Sequence, residues 1–165
     1  MSRKGQVWSM DFAASVVIFS TALAMLLFAW LYITSQSGQQ TMFIEMESAA
    51  MSASDSLVRQ PGVPENWNSS SVTTIGLASS ENVLNETKVS YFLDLENGTI
   101  KSLLGVGNYD FYFEVRYANG TLAQLFDGAW VAKGNYPENA SIVVPSERYV
   151  IYMEKPAKMN FMLWV

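Results

Sequence analysis

The chain has 165 residues, half of them hydrophobic, with a formal net charge of −5 and a pI near 4.6. It contains no cysteine and no histidine. Thiol nucleophiles, thiolate metal sites, imidazole bases and disulfides are therefore excluded from this chain. The acidic balance, with cations scattered beyond Arg59, lacks the basic stripe that nucleic acid requires.

Arg3 and Lys4 open the chain, Asp11 is the next charge, and no charged residue occurs from Phe12 to Ile44. Within that window, residues 12–33 (FAASVVIFSTALAMLLFAWLYI) are apolar except for Ser15, Ser20, Thr21 and the Tyr32 hydroxyl. As a helix they extend about 33 Å, enough for a hydrocarbon core of about 30 Å. Hydroxyls are tolerated in such a span because they bond back to their own helix. Trp8 at one end and Trp30 with Tyr32 at the other stand where amphipathic rings meet a membrane interface. The rival readings are a core helix, which a small domain could hardly hide, and a cleaved secretory signal, whose apolar region is usually about 7–15 residues. The positive-inside rule keeps Arg3 and Lys4 in the cytoplasm and sends the rest outside the cell. The expectation is a single-pass protein of the cell membrane, with the lipid bilayer as its first partner.

Residues 34–60 read as a helical extension. Met42, Met46, Ala49 or Ala50, Ala53 and Leu57 recur at three- and four-residue steps, with Glu45, Glu47, Ser52, Ser54 and Asp55 between them. Gly38 marks a soft joint between the halves, and Pro61-Gly62 stops the helix. Its apolar stripe needs a partner, and a sheet formed by the remaining chain is the natural one.

Beyond Pro61 the sequence turns loop-like (PGVPENWNSSS). TKVSYFLDL and GTIKSLLG favour a helix followed by a turn of helix. Tyr109–Tyr117 (YDFYFEVRY) is aromatic and β-branched with partial alternation, and Asn119-Gly120 is a hairpin signal after which TLAQLF returns. SIVVP, RYVIYM and MNFMLWV are further strand candidates, separated by Pro145 and Pro156. Four or five short antiparallel strands are expected. Tyr109, Phe111, Tyr112, Phe113 and Trp130 are expected in the core. The fold class is α+β: a long N-terminal helix packed on a small antiparallel sheet. The divisions are a leader at 1–11, a transmembrane helix at 12–33, an amphipathic extension at 34–60 and an extracellular β-rich head at 61–165.

Asn-x-Ser/Thr occurs at Asn68, Asn85, Asn97, Asn119 and Asn139. Ten asparagines and 27 serines plus threonines in 165 residues give about 1.6 such triplets by chance. All five lie on the outer side, as glycosylation sites of an exported head do. Asn-Gly-Thr is also ordinary turn chemistry at Asn97 and Asn119.

The start, RKGQVWSMDFAASVVIF, resembles the class III signal peptides of archaeal type IV pilins and pilin-like proteins. In that family a basic leader ends at Gly or Ala, followed by Gln, Ser, an acid and the hydrophobic helix. The resemblance covers residues 3–33 and the overall layout. It implies recognition of Lys4, Gly5 and Gln6 by a prepilin peptidase, and bundling of the helix with other pilin-like subunits. The family spacing is departed from here: a cut after Gly5 makes Asp11 sixth in the mature chain, and a cut after Gln6 makes it fifth. A carboxylate at the bilayer edge is costly unless paired. The freed amine of a neighbouring subunit would pair with Asp11 and set the register. The plainer reading of Asp11 is an acid in the first helical turn, favoured by the helix dipole.

Chemistry-bearing patterns are sparse. Asp94-Leu95-Glu96-Asn97-Gly98 lacks calcium-loop spacing, Gly105-Val106-Gly107-Asn108 lacks the flanks of a phosphate loop, and Glu45 with Glu47 do not face each other on a helix. No catalytic residue, metal ligand or cofactor is expected. The sequence points to a non-enzymatic pilin-like subunit of an archaeal surface filament or secretion-type apparatus. The alternative is a membrane-anchored binding or adhesion domain that never polymerises.

Overall fold

The computed structural model describes the backbone of residues 4–165 and the side chains of residues 10–34 and 41–165. Arg3 lies outside the described residues. Helix α1 runs Lys4–Arg59, and its helical assignment continues through Gly38. The chain divides into two units, Met1–Met42 and Phe43–Val165.

In the first unit, one helical stretch, Met10–Thr34, is long and apolar enough to cross a membrane, and none of it is buried. Three of its hydroxyls bond back to their own helix. Ser15, Thr21 and Thr34 each donate to the carbonyl four residues back, at 2.8, 2.7 and 2.9 Å.

The second unit contains the end of α1, β1 (Ala78–Ser80), β2 (Val83–Leu84), α2 (Glu86–Asp94), α3 (Asn97–Leu103), β3 (Asp110–Tyr117), β4 (Ala132–Gly134), β5 (Val143–Tyr152) and β6 (Lys155–Trp164). The strands form one six-stranded sheet in the order β1-β2-β5-β6-β3-β4. The α+β architecture expected from the sequence is present. Two details differ: there are six strands, and β2 pairs with β5 in parallel.

The apolar stripe of α1 is buried at Met46, Ala50, Ala53 and Leu57, with Met42 half-buried. Small residues at positions 50, 53 and 54 let the helix backbone approach the sheet. There the Ser54 and Ser146 hydroxyls meet at 2.8 Å, and Ser54 Oγ also donates to Met51 O. Both buried hydroxyls thus have partners, so the polar pair does not carry a bare desolvation penalty. Helix α2 is capped by Asn85, whose Oδ1 accepts from Lys88 N, and Phe92 packs edge-on against Phe113 at 4.9 Å. Lys88 Nζ donates to Pro61 O at 2.8 Å and Ala78 O at 3.3 Å, tying α2 to the segments after α1. Desolvation holds this ammonium below the ordinary lysine value.

Strand alternation builds the rest of the core. Phe111, Phe113 and Val115 on β3, and Ala157, Met159, Phe161 and Leu163 on β6, share the helix-covered face. Trp67 is buried in the loop after α1 and donates through Nε1 to Pro61 O and Gly76 O, both at 3.0 Å. A Cβ at Gly62 or Gly76 would strike the Trp67 ring or the Gln60 backbone, so both positions need glycine.

SIVVP and RYVIYM are one strand rather than two. β5 meets β2 only at Ile151 and Tyr152, so its earlier part is an edge on that side and Pro145 interrupts no ladder there. The β5–β6 turn is Met153-Glu154, with φ of 49° and 60°. Both values are positive, as a two-residue hairpin turn requires, but the residues are not the usual Asn-Gly. The Asn119-Gly120 turn is present. Gly120 holds φ 84°, Gly120 N donates to Tyr117 O at 2.8 Å, and Tyr117 N donates to Thr121 O at 2.9 Å. TLAQLF returns through isolated bridges, Arg116 to Leu122 and Gln124 to Trp130, rather than as a full strand. Trp130 is exposed and Tyr109 and Tyr112 are half-buried, so only Phe111 and Phe113 of the five expected core aromatics are fully internal.

Candidate functional site: an unburied apolar helix and a polar sheet face

The first surface is Met10–Thr34. Phe12, Ile18, Leu26, Phe28, Trp30 and Leu31 are all exposed. Such a run is larger than the apolar patches a soluble surface usually carries, and by length and composition it is sufficient to cross a membrane. Asp11 lies at its start, exposed, with its carbonyl accepting from Ser15 Oγ. Lys4, Gly5 and Gln6 have helical backbone, but their side chains lie outside the described residues. Glu45 and Glu47 lie in the following helical segment, exposed and half-buried, and point to no shared site.

The second surface is the sheet face opposite the helices. Period-two alternation puts Tyr112, Glu114 and Arg116 of β3 on it, and the register sets Asn160 of β6 beside Glu114. Glu114 is only 4% exposed. Its carboxylate accepts from Arg116 Nε and Nη2, both at 2.7 Å, from Asn160 Nδ2 at 3.0 Å and from Tyr112 OH at 3.3 Å. Burial pushes the Glu114 carboxyl up, but these donors, led by Arg116 and Asn160, outweigh it and hold it below the ordinary carboxylate range. Its own burial, and then the Glu114 carboxylate beside it, push the Tyr112 phenol up. Tyr136 packs edge-on to Tyr112 at 5.2 Å.

Beside this network the face carries Lys158, paired with Glu147 at 3.0 Å, and the exposed ring of Tyr149. A cleft of about 370 Å³ opens between the end of β3, its turn, β5 and β6. Asn160 lines this cleft, and its Oδ1 is buried with no hydrogen-bond partner. The network has a trace in the sequence: Tyr112, Glu114 and Arg116 stand at alternate positions of β3. Its fourth member, Asn160, sits in the apolar run MNFML and gives no signal of its own.

The five sequon asparagines differ in what they do. Asn85 is half-buried and caps α2. Asn97 is the first residue of α3. Asn68 Oδ1 accepts from Ser70 N and Ser71 N, at 2.9 and 3.1 Å. Asn139 is exposed in the loop before β5. Asn119 Oδ1 accepts from both Thr121 N at 3.0 Å and Thr121 Oγ1 at 2.7 Å.

Among the described residues no group of three or more acidic side chains is placed to hold a metal ion. The chain matches no family model, no curated protein and no solved structure.

Proposed function

We propose that the chain is a non-enzymatic, pilin-like structural subunit, assembled through its hydrophobic N-terminal helix into an archaeal-type surface filament or secretion apparatus. The observation that carries this reading is a helical stretch of 25 residues, Met10–Thr34, none of it buried, joined to a head that builds its core from Phe43 onward. Those apolar side chains need an apolar environment. A bilayer supplies it before assembly, and helices of other subunits supply it afterwards. Small residues such as Ala22, Ala24 and Ala29 permit close helix approach. Asp11 pairs with the freed amine of a neighbour, and Lys4, Gly5 and Gln6 are read by a prepilin peptidase. Arg3 and Lys4 set the orientation, with the leader cytoplasmic and the head outside.

The absence of cysteine makes the test clean. Single-cysteine variants from Val17 to Phe28, oxidised in native membranes, are expected to give disulfide dimers at a helical subset of positions. Asp11→Asn is expected to weaken the dimers while leaving the head folded. Monomers at every position, with an intact leader, support the anchored, unpolymerised binding domain instead.

A further inference from the structure

The polar sheet face holds a cleft that the assembly reading leaves unused. Its rim includes Ala118 and Gly120, the two neighbours of Asn119 in the β3 turn. Its wall and floor include Tyr149, Pro156, Lys158 and Asn160. At about 370 Å³ it lies at the small end of ligand sites, with room for one or two sugar rings.

Two features suit a sugar. The Tyr149 ring is 80% exposed and stands beside Pro156, a pair of flat apolar surfaces on which the C–H face of a pyranose stacks. The cations at the cleft are already neutralised, Lys158 by Glu147 and Arg116 by Glu114, which favours an uncharged polar ligand over an anion.

The turn supplies the sugar. Asn119 is exposed at the turn, and Thr121 occupies its Oδ1 through both N–H and Oγ1–H. Nδ2, the atom that carries an N-linked glycan, is left without a partner. Among the described residues no other sequon has its own hydroxyl donating to the asparagine side chain. Asn85, by contrast, is committed to capping α2.

We propose that Asn119 carries an N-linked glycan whose first sugar rings lie in this cleft against Tyr149 and Pro156. The inference rests on the head being exported. In the coupling step Nδ2 attacks the anomeric carbon of a polyprenyl-phosphate-linked sugar on a membrane oligosaccharyltransferase. A C–N bond forms, and the C–O bond to phosphate breaks with its electron pair leaving on the phosphate. One amide proton is released to the transferase. The seated glycan covers the open sheet face and couples the β3 turn to β5 and β6.

The experiment is glycopeptide mass spectrometry of the full chain from native membranes, followed by melts of the detergent-solubilised protein. Asn119 is expected to be occupied. Tyr149→Ala is expected to lower the melting midpoint of the glycosylated protein by several degrees, and to have no effect in Asn119→Asp or Thr121→Ala backgrounds. If either background misfolds, hydroxyl-radical labelling of Tyr149 in the wild type replaces the melt. It is expected to fall well below what an 80% exposed ring gives. An empty Asn119 with sugar at Asn68 or Asn139 overturns the inference while leaving export intact. An empty set of sequons also overturns it, and the cysteine cross-links then decide the assembly reading separately. Equal effects of Tyr149→Ala in all backgrounds, or full labelling of Tyr149, overturn the seating of the glycan. A cleft that takes up free saccharide in the Asn119→Asp protein but is empty of its own glycan overturns it too.

Discussion

Arg116→Met removes both 2.7 Å charge-assisted bonds to the buried Glu114 carboxylate and leaves only Asn160 Nδ2 and Tyr112 OH to meet it. Hydrogen bonds to charged groups contribute about 1.5–3 kcal/mol each, and an abandoned buried charge costs about 3–5 kcal/mol. The Arg116 side chain is 43% exposed, so water compensates part of the loss. The expected cost at pH 7 is about 2–3 kcal/mol, or about 10 °C in the melting midpoint of a head this size. Near-ultraviolet circular dichroism of the full chain in detergent reads this directly. The folded carboxyl is held below its ordinary range, so its stabilisation is complete above the unfolded value of about 4.3 and fades as pH falls toward the lowered folded value. The gap between wild type and Arg116→Met therefore narrows in acid. The double variant Glu114→Gln/Arg116→Met, which removes the charge as well, recovers much of the loss. A single variant within about 0.5 kcal/mol of wild type, or a gap that ignores pH, refutes the account of the polar face.

Two further predictions concern the fold. Ala50→Leu forces bulk between α1 and the sheet, where Ala50 is fully buried, and is expected to cost about 1–3 kcal/mol in chemical denaturation. Glu154→Gly relieves a left-handed residue in the β5–β6 turn and is expected to raise stability by about 0.5–1 kcal/mol; an unchanged or lowered midpoint contradicts the strain argument.

What could be read from the sequence was what periodicity and punctuation carry. The uncharged run after Asp11 and the three- and four-residue spacing of Met46, Ala50, Ala53 and Leu57 each report one local geometry, and each recurs in the structure. Pro61-Gly62 and Asn119-Gly120 mark a helix end and a turn because few residues accept those backbone angles. The β5 strand was split at Pro145 because sequence alone does not tell an edge strand from a break. The Met153-Glu154 turn was silent because neither residue signals a positive φ; strand pairing over ten residues on each side imposes it. The pairing of Glu114 with Asn160, 46 residues away, depends on register and could not be seen locally. Trp130 was assigned to the core on residue type, whereas its place in an isolated bridge leaves it facing solvent.

In the proposed function the N-terminal helix is an assembly element released by prepilin-type processing. Intact mass and N-terminal sequence of the protein from native membranes test it most directly. Loss of the first five or six residues, leaving Gln6 or Val7 at the start and Asp11 near the new amine, is the predicted result. An unprocessed terminus contradicts it and leaves an anchored domain, and a start at residue 36 or later contradicts both and makes the head a secreted protein.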